Sequence, residues 1–325
     1  MSGIPVVLDS DPGLDDALAL HYLLGRPGWE LVAYTAVGGN VPVGPAFANA
    51  RALAAAFGID GDVPVYRGAG RPISRVTVRS DFHGPNGLGG RVLPDSAVTP
   101  PAQDAVTALL QLSRRHDGEL TVIATGPLTN IAAALVLDPG FACRVRRLVF
   151  MGGAAQVPGN VTPVAEFNIW ADPDAADIVV SSGIDYVMVG LDATRLARFT
   201  ARDVDGLEPV GGAAPDLPGC LMRDYLAAYE RVTGDSCAFL HDPLAVAVAA
   251  DERFATLRPG VVGVCCDLGL TRGQTVFLPE AATLAPELPE PIRGRLDCVG
   301  MVAVDGGELD IVADFFHRLG APQPR

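Results

Sequence analysis

Ile4-Pro5-Val6-Val7-Leu8-Asp9-Ser10-Asp11-Pro12-Gly13-Leu14-Asp15-Asp16 joins a short, nearly all-apolar run to four carboxylates within eight residues. The run Ile4 to Leu8 has the length and the branched side chains of a strand buried on both faces, which requires helices above and below it. Asp16 to Leu24 supplies the first such helix, with carboxylates in its opening turn. Outward from this unit the rhythm repeats. Strands are expected at Glu30 to Val37, Val63 to Arg67, Leu120 to Ala124, Arg147 to Phe150 and Asp185 to Val189. Helices are expected at Pro45 to Phe57, Asp104 to Arg115, Leu128 to Leu137 and Pro173 to Ser182. The pattern predicts an α/β fold with an open, mainly parallel sheet and helices on both faces. A helical excursion is expected near 196–232, a strand-rich extension over Pro259 to Val304, and a last helix at Leu309 to Leu319. No repeat, low-complexity tract or linker interrupts the chain, so residues 1–325 are read as one domain.

Charge narrows the partners. A formal net charge of −14, scattered rather than massed, leaves no basic stripe to follow a phosphate backbone, so no nucleic-acid partner is expected. The same field disfavours multiply anionic substrates and points to a neutral small molecule. Met1 to Gly3 lead directly into the first strand without room for a leader, and the apolar run Leu244 to Ala250 is far short of the roughly 20 residues a membrane span needs. The six cysteines lack CxxC spacing, as expected of free thiols in a reducing cytoplasm. All 24 basic residues are arginine. With no lysine, Schiff-base chemistry, pyridoxal phosphate anchoring and a phosphate-binding loop ending in GK[ST] are excluded.

In open parallel sheets, ligands sit beyond the carboxyl ends of the strands. The first such loop holds Asp9, Asp11, Asp15 and Asp16. Helix capping accounts for Asp15 and Asp16 but not for all four, and crowded carboxylates stay ionised only beside a cation. An all-oxygen set suits calcium or magnesium better than zinc. The second loop, Thr125-Gly126-Pro127-Leu128-Thr129-Asn130, enters a helix and can offer a carbonyl oxygen. In the third, Gly159 to Asn168, an extended course would set Glu166 and Asn168 on one face, a polar edge suited to vicinal hydroxyls. Asp172-Pro173 just beyond reads as a helix cap with proline at the first helical position. The fourth segment, Phe239-Leu240-His241-Asp242-Pro243, places a histidine beside a carboxylate at a helix mouth.

Taken together, VVLDSDPGLDDALAL from Val6, VGGN at 37–40, ATGPLTN at 124–130, AEFNIWADPDAA at 165–176 and HDPLAVA at 241–247 resemble the inosine-uridine-preferring nucleoside hydrolase family. The resemblance runs in order from residue 4 to about 250 and is looser beyond. It implies a Rossmann-like fold and cleavage of a nucleoside N-ribosidic bond to base and ribose, with calcium as cofactor and assembly as a homodimer or homotetramer. Asp11, Asp15, Asp16, Asp242 and the Thr125 carbonyl are then the expected calcium ligands, with a water completing the shell. Asp11 would accept the proton of that water, and Asp9 would steady the others. Asn40, Asn160, Glu166 and Asn168, with Asp15 and Asp242, would hold the ribose. His241 would relieve charge on the leaving base. In the residues themselves, His83 fits either a contact to that base or a place in a mobile loop, and Tyr225 and Tyr229, four apart on an expected helix, fit either covering the base edge or amphipathic packing.

Two departures from the family pattern stand out. Asn86 in Phe82-His83-Gly84-Pro85-Asn86 stands where relatives often carry aspartate, and Thr271 to Val276 lacks an aspartate that often follows it. A haloacid-dehalogenase-like phosphatase also opens with Asp-x-Asp after a buried strand, but it needs a lysine for its phosphate. A calcium-dependent nucleoside or ribose binding protein without turnover would keep the ligands and have no use for Asp11 as a base or for His241.

Overall fold

The computed structural model describes residues 3–319 except positions 75, 77–79, 206, 208–213, 215, 280–294 and 296. The first half runs β1 (Ile4–Ser10), α1 (Leu14–Leu24), β2 (Trp29–Ala36), α2 (Val43–Ala56), β3 (Val65–Arg67), α3 (Ala105–Arg115), β4 (Leu120–Ala124) and α4 (Thr129–Leu137). There follow α5 (Phe141–Arg144), β5 (Val145–Met151), α6 (Phe167–Ala171), α7 (Pro173–Val180), β6 (Tyr186–Val189) and α8 (Leu191–Thr194). Next come β7 (Arg198–Thr200), α9 (Ala201–Asp205), α10 (Leu217–Thr233), β8 (Cys237–Phe239) and α11 (His241–Ala250). The chain closes with β9 (Ala255–Val264), β10 (Thr275–Pro279), β11 (Val299–Gly306) and α12 (Ile311–Leu319).

Among the described residues nine strands form one sheet in the order β10-β9-β11-β6-β5-β4-β1-β2-β3. From β11 to β3 every pairing is parallel, and β9 runs antiparallel to both of its neighbours. Val6, Val7 and Leu8 are fully buried, as expected of a central strand. Their alternation feeds two cores: Leu8 faces α1, α10, α11 and α12 through Leu18, Leu221, Leu244 and Phe315, and Val7 faces α3, α4 and α7 through Leu109, Ile131 and Val179. The chain builds outward from β1 to β3, then crosses back to β4 on the other side of β1. Ligands of such sheets occupy the crevice where that order reverses. The loops leaving β1 and β4 are therefore forced side by side. Among the described residues no helix is long and apolar enough to cross a membrane.

Two expectations need correction. The excursion near 196–232 is not purely helical: Phe199, fully buried, anchors β7, which pairs antiparallel with β8 ahead of α11. Helix α11 begins at His241 rather than Leu244, because Pro243 falls in the first turn, where its missing N–H has no intrahelical partner to lose. Part of the predicted strand-rich extension, 280–294, lies outside the described residues.

Candidate active site

Asp15 and Asp16 occupy the first turn of α1, and Asp242 occupies that of α11. One oxygen from each lies within 4.8 Å of the others, and all three residues are buried. Both helices aim their free N-terminal amides at these anions, which favours them only in part. Desolvation dominates. It pushes Asp16 up to about 7, with the Asp15 charge adding to the effect. Asp242 stands well above the carboxylate range for the same reason, raised further by Asp15, Asp16 and Asp11. Such groups ionise together only around a cation, and their all-oxygen chemistry fits calcium or magnesium.

Asp11 is not one of that trio but adjoins it: burial first, then the Asp16 and Asp15 charges, hold its carboxyl well above the ordinary range. Its Oδ2 accepts from the Asn40 backbone N–H at 2.6 Å, and its Oδ1 is buried with no partner among the described residues, an acceptor left open for a ligand. The carboxylate lies between two glycines. A Cβ on Gly39 would fall 2.0 Å from Oδ2, and one on Gly126 would fall 2.6 Å from Oδ1. Asp9 points elsewhere, its Oδ1 accepting from Thr35 Oγ1 at 2.5 Å and Asn130 Nδ2 at 2.7 Å. Burial lifts it to about 6. Thr125 ties the loops together. Its N–H donates to the Asp9 carbonyl at 2.8 Å, its hydroxyl to Asp16 Oδ1 at 2.7 Å, and its carbonyl accepts from Asn168 Nδ2 at 2.8 Å.

Glu166 and Asn168 sit beside this cluster, but not on an extended edge. Glu166 caps α6, its Oε1 accepting from Asn168 N–H and its Oε2 from Ile169 N–H, so Asn168 belongs to the first helical turn. The cap satisfies amide hydrogens that a helix start leaves free, which outweighs the alternation read from sequence. Burial nonetheless raises Glu166 to about 7. The Asn40 side chain donates to the Asp11 carbonyl at 3.2 Å. Asn160, exposed at the rim, accepts from Phe167 N–H at 3.0 Å. Asp172 does more than cap α7. It also accepts from Ile73 N–H, Ser74 N–H and the Thr129 hydroxyl, pinning the loop after β3 to α4.

Above the carboxylates the cleft, of about 190 Å³, is walled by aromatic rings. His83 and Tyr225 stack at 5.9 Å, Phe82 meets Tyr229 edge-on at 4.9 Å, and Tyr225 meets Tyr229 edge-on at 5.2 Å. The Tyr225 hydroxyl donates to Asp15 Oδ2 at 2.8 Å. Both ring nitrogens of His241 are engaged, Nε2 with the Tyr229 hydroxyl at 2.8 Å and Nδ1 with Thr194 Oγ1 at 2.7 Å. Burial lowers His241 to about 4, so the ring is neutral near pH 7. The His83 Nδ1 accepts from Leu14 N–H at 3.2 Å. Asn86 faces away from the cleft. It accepts from Leu88 and Gly90 N–H and donates to the Arg91 carbonyl, shaping the loop that carries His83. Sequence reading passed over Thr194, Phe82 and Gly39. Thr194 ends Leu191-Asp192-Ala193-Thr194 directly after β6, so the strand-end rule pointed to it.

The profile of the inosine-uridine preferring nucleoside hydrolase family matches residues 6–299. The pyrimidine-specific ribonucleoside hydrolase RihA of Shewanella sp. (strain MR-7) is 37% identical over 275 residues, 84% of this chain and 86% of that protein. The probable uridine nucleosidase 2 of Oryza sativa subsp. japonica is 36% identical, across 83% of this chain and 80% of its own. The structure of a plant nucleoside hydrolase, PpNRh1, superposes with a TM-score of 0.90 at 33% identity, covering 98% of this chain and 99% of that one. A purine-preferring ribonucleoside hydrolase from Gardnerella vaginalis gives 0.86 at 33% identity, covering 97% and 98%. These matches set aside a phosphatase of the haloacid-dehalogenase kind. The chain belongs to the inosine-uridine preferring nucleoside hydrolase family and is a hydrolase of nucleoside N-glycosidic bonds.

Proposed function

We propose that the chain hydrolyses ribonucleosides in a calcium-dependent reaction in which Asp11 accepts the proton of the attacking water. The observation that carries this reading is the meeting of Asp15, Asp16 and Asp242 within 4.8 Å, beside an Asp11 oxygen that has no partner among the described residues. Asp11, Asp15, Asp16, Asp242 and the Thr125 carbonyl would hold the ion. Calcium bound there orients vicinal hydroxyls and lowers the pKa of water.

The residues supply the rest. Glu166, Asn168, Asn40 and, at the rim, Asn160 surround the space next to the carboxylates and offer acceptors and amide donors to the ribose hydroxyls. As the glycosidic bond lengthens, positive charge spreads over the sugar ring, and the buried carboxylates stabilise it. The base then lies among Phe82, His83, Tyr225 and Tyr229, whose faces stack on purines and pyrimidines alike. Charge relief for the departing base comes from the hydrogen-bonded pair Tyr229 and His241. Assembly as a homodimer or homotetramer, implied by the resemblance, completes the proposal and is read by light scattering.

The experiment is release of reducing sugar from uridine, cytidine, inosine and adenosine, with calcium and with a chelator. Ribose is expected from at least one nucleoside, lost on chelation and restored by calcium. Turnover that is indifferent to the chelator would overturn calcium dependence. Substituting Asp11→Asn without loss of kcat would overturn the role of Asp11.

A further inference from the structure

We infer that Thr194 is a positioning residue for the departing base: its buried hydroxyl fixes the proton of His241 on Nε2, which leaves the Tyr229 hydroxyl hydrogen free to face the cleft. This rests on the proposed role of the Tyr229 and His241 pair in leaving-group departure.

The geometry allows two arrangements. A neutral imidazole carries one N–H, and which nitrogen holds it follows from the partners. Were the proton on Nδ1, His241 would donate to Thr194 Oγ1. The Tyr229 hydroxyl would then have to donate to Nε2, turning its only hydrogen away from substrate. Were it on Nε2, the Thr194 hydroxyl donates to Nδ1 at 2.7 Å and His241 donates to the Tyr229 oxygen at 2.8 Å.

Thr194 decides between them. It is fully buried, and among the described residues His241 Nδ1 is the only hydrogen-bond partner of its hydroxyl. The first arrangement would leave a buried hydroxyl hydrogen without an acceptor, an unfavourable state. The second gives both His241 nitrogens and the Thr194 hydroxyl a partner and leaves only the Tyr229 hydrogen, on the cleft side, for a substrate to accept. His83 follows the same logic, since the Leu14 N–H donates to its Nδ1 and leaves the proton on Nε2.

The chemical consequence concerns Tyr229. As the bond between the anomeric carbon and the base nitrogen breaks, its electron pair stays with the base, and the Tyr229 hydroxyl proton moves to the base. The phenolate left behind is held by the hydrogen bond from His241 Nε2–H, which keeps its proton, until one proton returns from solvent. Burial makes Tyr229 a weaker acid than a free phenol, so the donor on its oxygen matters.

The test compares two leaving groups on the full chain with calcium. Uridine needs a proton on its departing base, whereas a nitrophenyl riboside departs without one. For Thr194→Val, kcat on uridine is expected to fall at least tenfold while kcat on the nitrophenyl riboside stays within about twofold, with Thr194→Ser restoring most of the loss. Equal loss on both substrates, or no loss on uridine, overturns the inference. Tyr229→Phe separates the two levels of the argument. If it fails to discriminate between the leaving groups, the Tyr229 and His241 reading falls and Thr194 falls with it. If it discriminates and Thr194→Val does not, only the role of Thr194 falls. Nitrogen-15 spectra of the wild-type imidazoles give a readout that needs no variant: His241 protonated on Nε2 supports the inference, and protonated on Nδ1 refutes it.

Discussion

Gly39→Ala isolates the placement of Asp11 from its chemistry. Position 39 is not among the positive-φ glycines, so its backbone accepts alanine, and the difficulty is contact alone. The added Cβ would lie 2.0 Å from Asp11 Oδ2 and 2.8 Å from Pro127 Cδ, whereas real Cβ contacts start near 3.0 Å. Either the carboxylate or the 37–40 turn must therefore give by about 1 Å. Retreat on the other side is limited, because Oδ1 faces Gly126 at close range. A displacement of about 1 Å in a reacting group lowers turnover by roughly a hundredfold. The assay is kcat for ribose release at saturating nucleoside and calcium, beside a melting curve. The expected result is a loss of roughly a hundredfold in a folded protein, smaller than the loss for Asp11→Asn, which removes the proposed proton acceptor itself. A folded Gly39→Ala enzyme with kcat within threefold of wild type would refute the claim that Asp11 needs this seat.

Three further outcomes are expected. Chelation should lower the melting temperature as well as activity, since calcium at about 100 times its Kd adds about 2.7 kcal/mol to the folded state; an unchanged melting curve would mean that the cluster holds no ion. Asp172→Ala should lower stability by about 3 kcal/mol or more, because its carboxylate caps α7 and receives Ile73 N–H, Ser74 N–H and the Thr129 hydroxyl; an unaltered urea midpoint would contradict this. His21 is buried against Phe57, both ring nitrogens lack a partner among the described residues, and burial lowers its pKa from 6.5 to about 4. Between those values the unfolded chain takes up a proton that the folded chain refuses, so this residue's contribution to stability is present above about 6.5 and is lost as pH falls towards 4. Relative to wild type, His21→Leu should therefore gain up to about 3 kcal/mol on going from pH 7 to pH 4. A difference between the two proteins that stays flat across that range would rule it out.

What the sequence showed follows from how local each signal is. β1 could be read because five consecutive apolar residues need burial on both faces, and that requirement alone implies flanking helices. The aspartate loop stood out because four neighbouring carboxylates have no shared structural explanation. Glu166 lines the cleft, but as a helix cap rather than on the extended edge expected. Glutamate is an unusual helix cap, and nothing local shows that its side chain will fold back on Asn168 and Ile169. The ribbon of β7 and β8 escaped notice because its strands, three residues each, pair across the long α9 and α10 segment, and such pairing leaves no local period.

Thr194 shows where reading along a chain stops. A threonine at the end of a four-residue helix is marked only by its place after a strand, and its partner His241 lies 47 positions away. What gives that hydroxyl a role is topological. β6 and β8 deliver α8 and α11 to the same end of the molecule, where Thr194 and His241 meet out of water. Exclusion of solvent then turns a commonplace contact into a constraint, because a buried hydroxyl with one partner has one place to send its hydrogen. The direction of that hydrogen sets the direction of the next, through His241 to Tyr229. A strand-end loop can thus act on the base without touching it, and the residues to look for after the ligands are the single buried hydroxyls one hydrogen bond behind them.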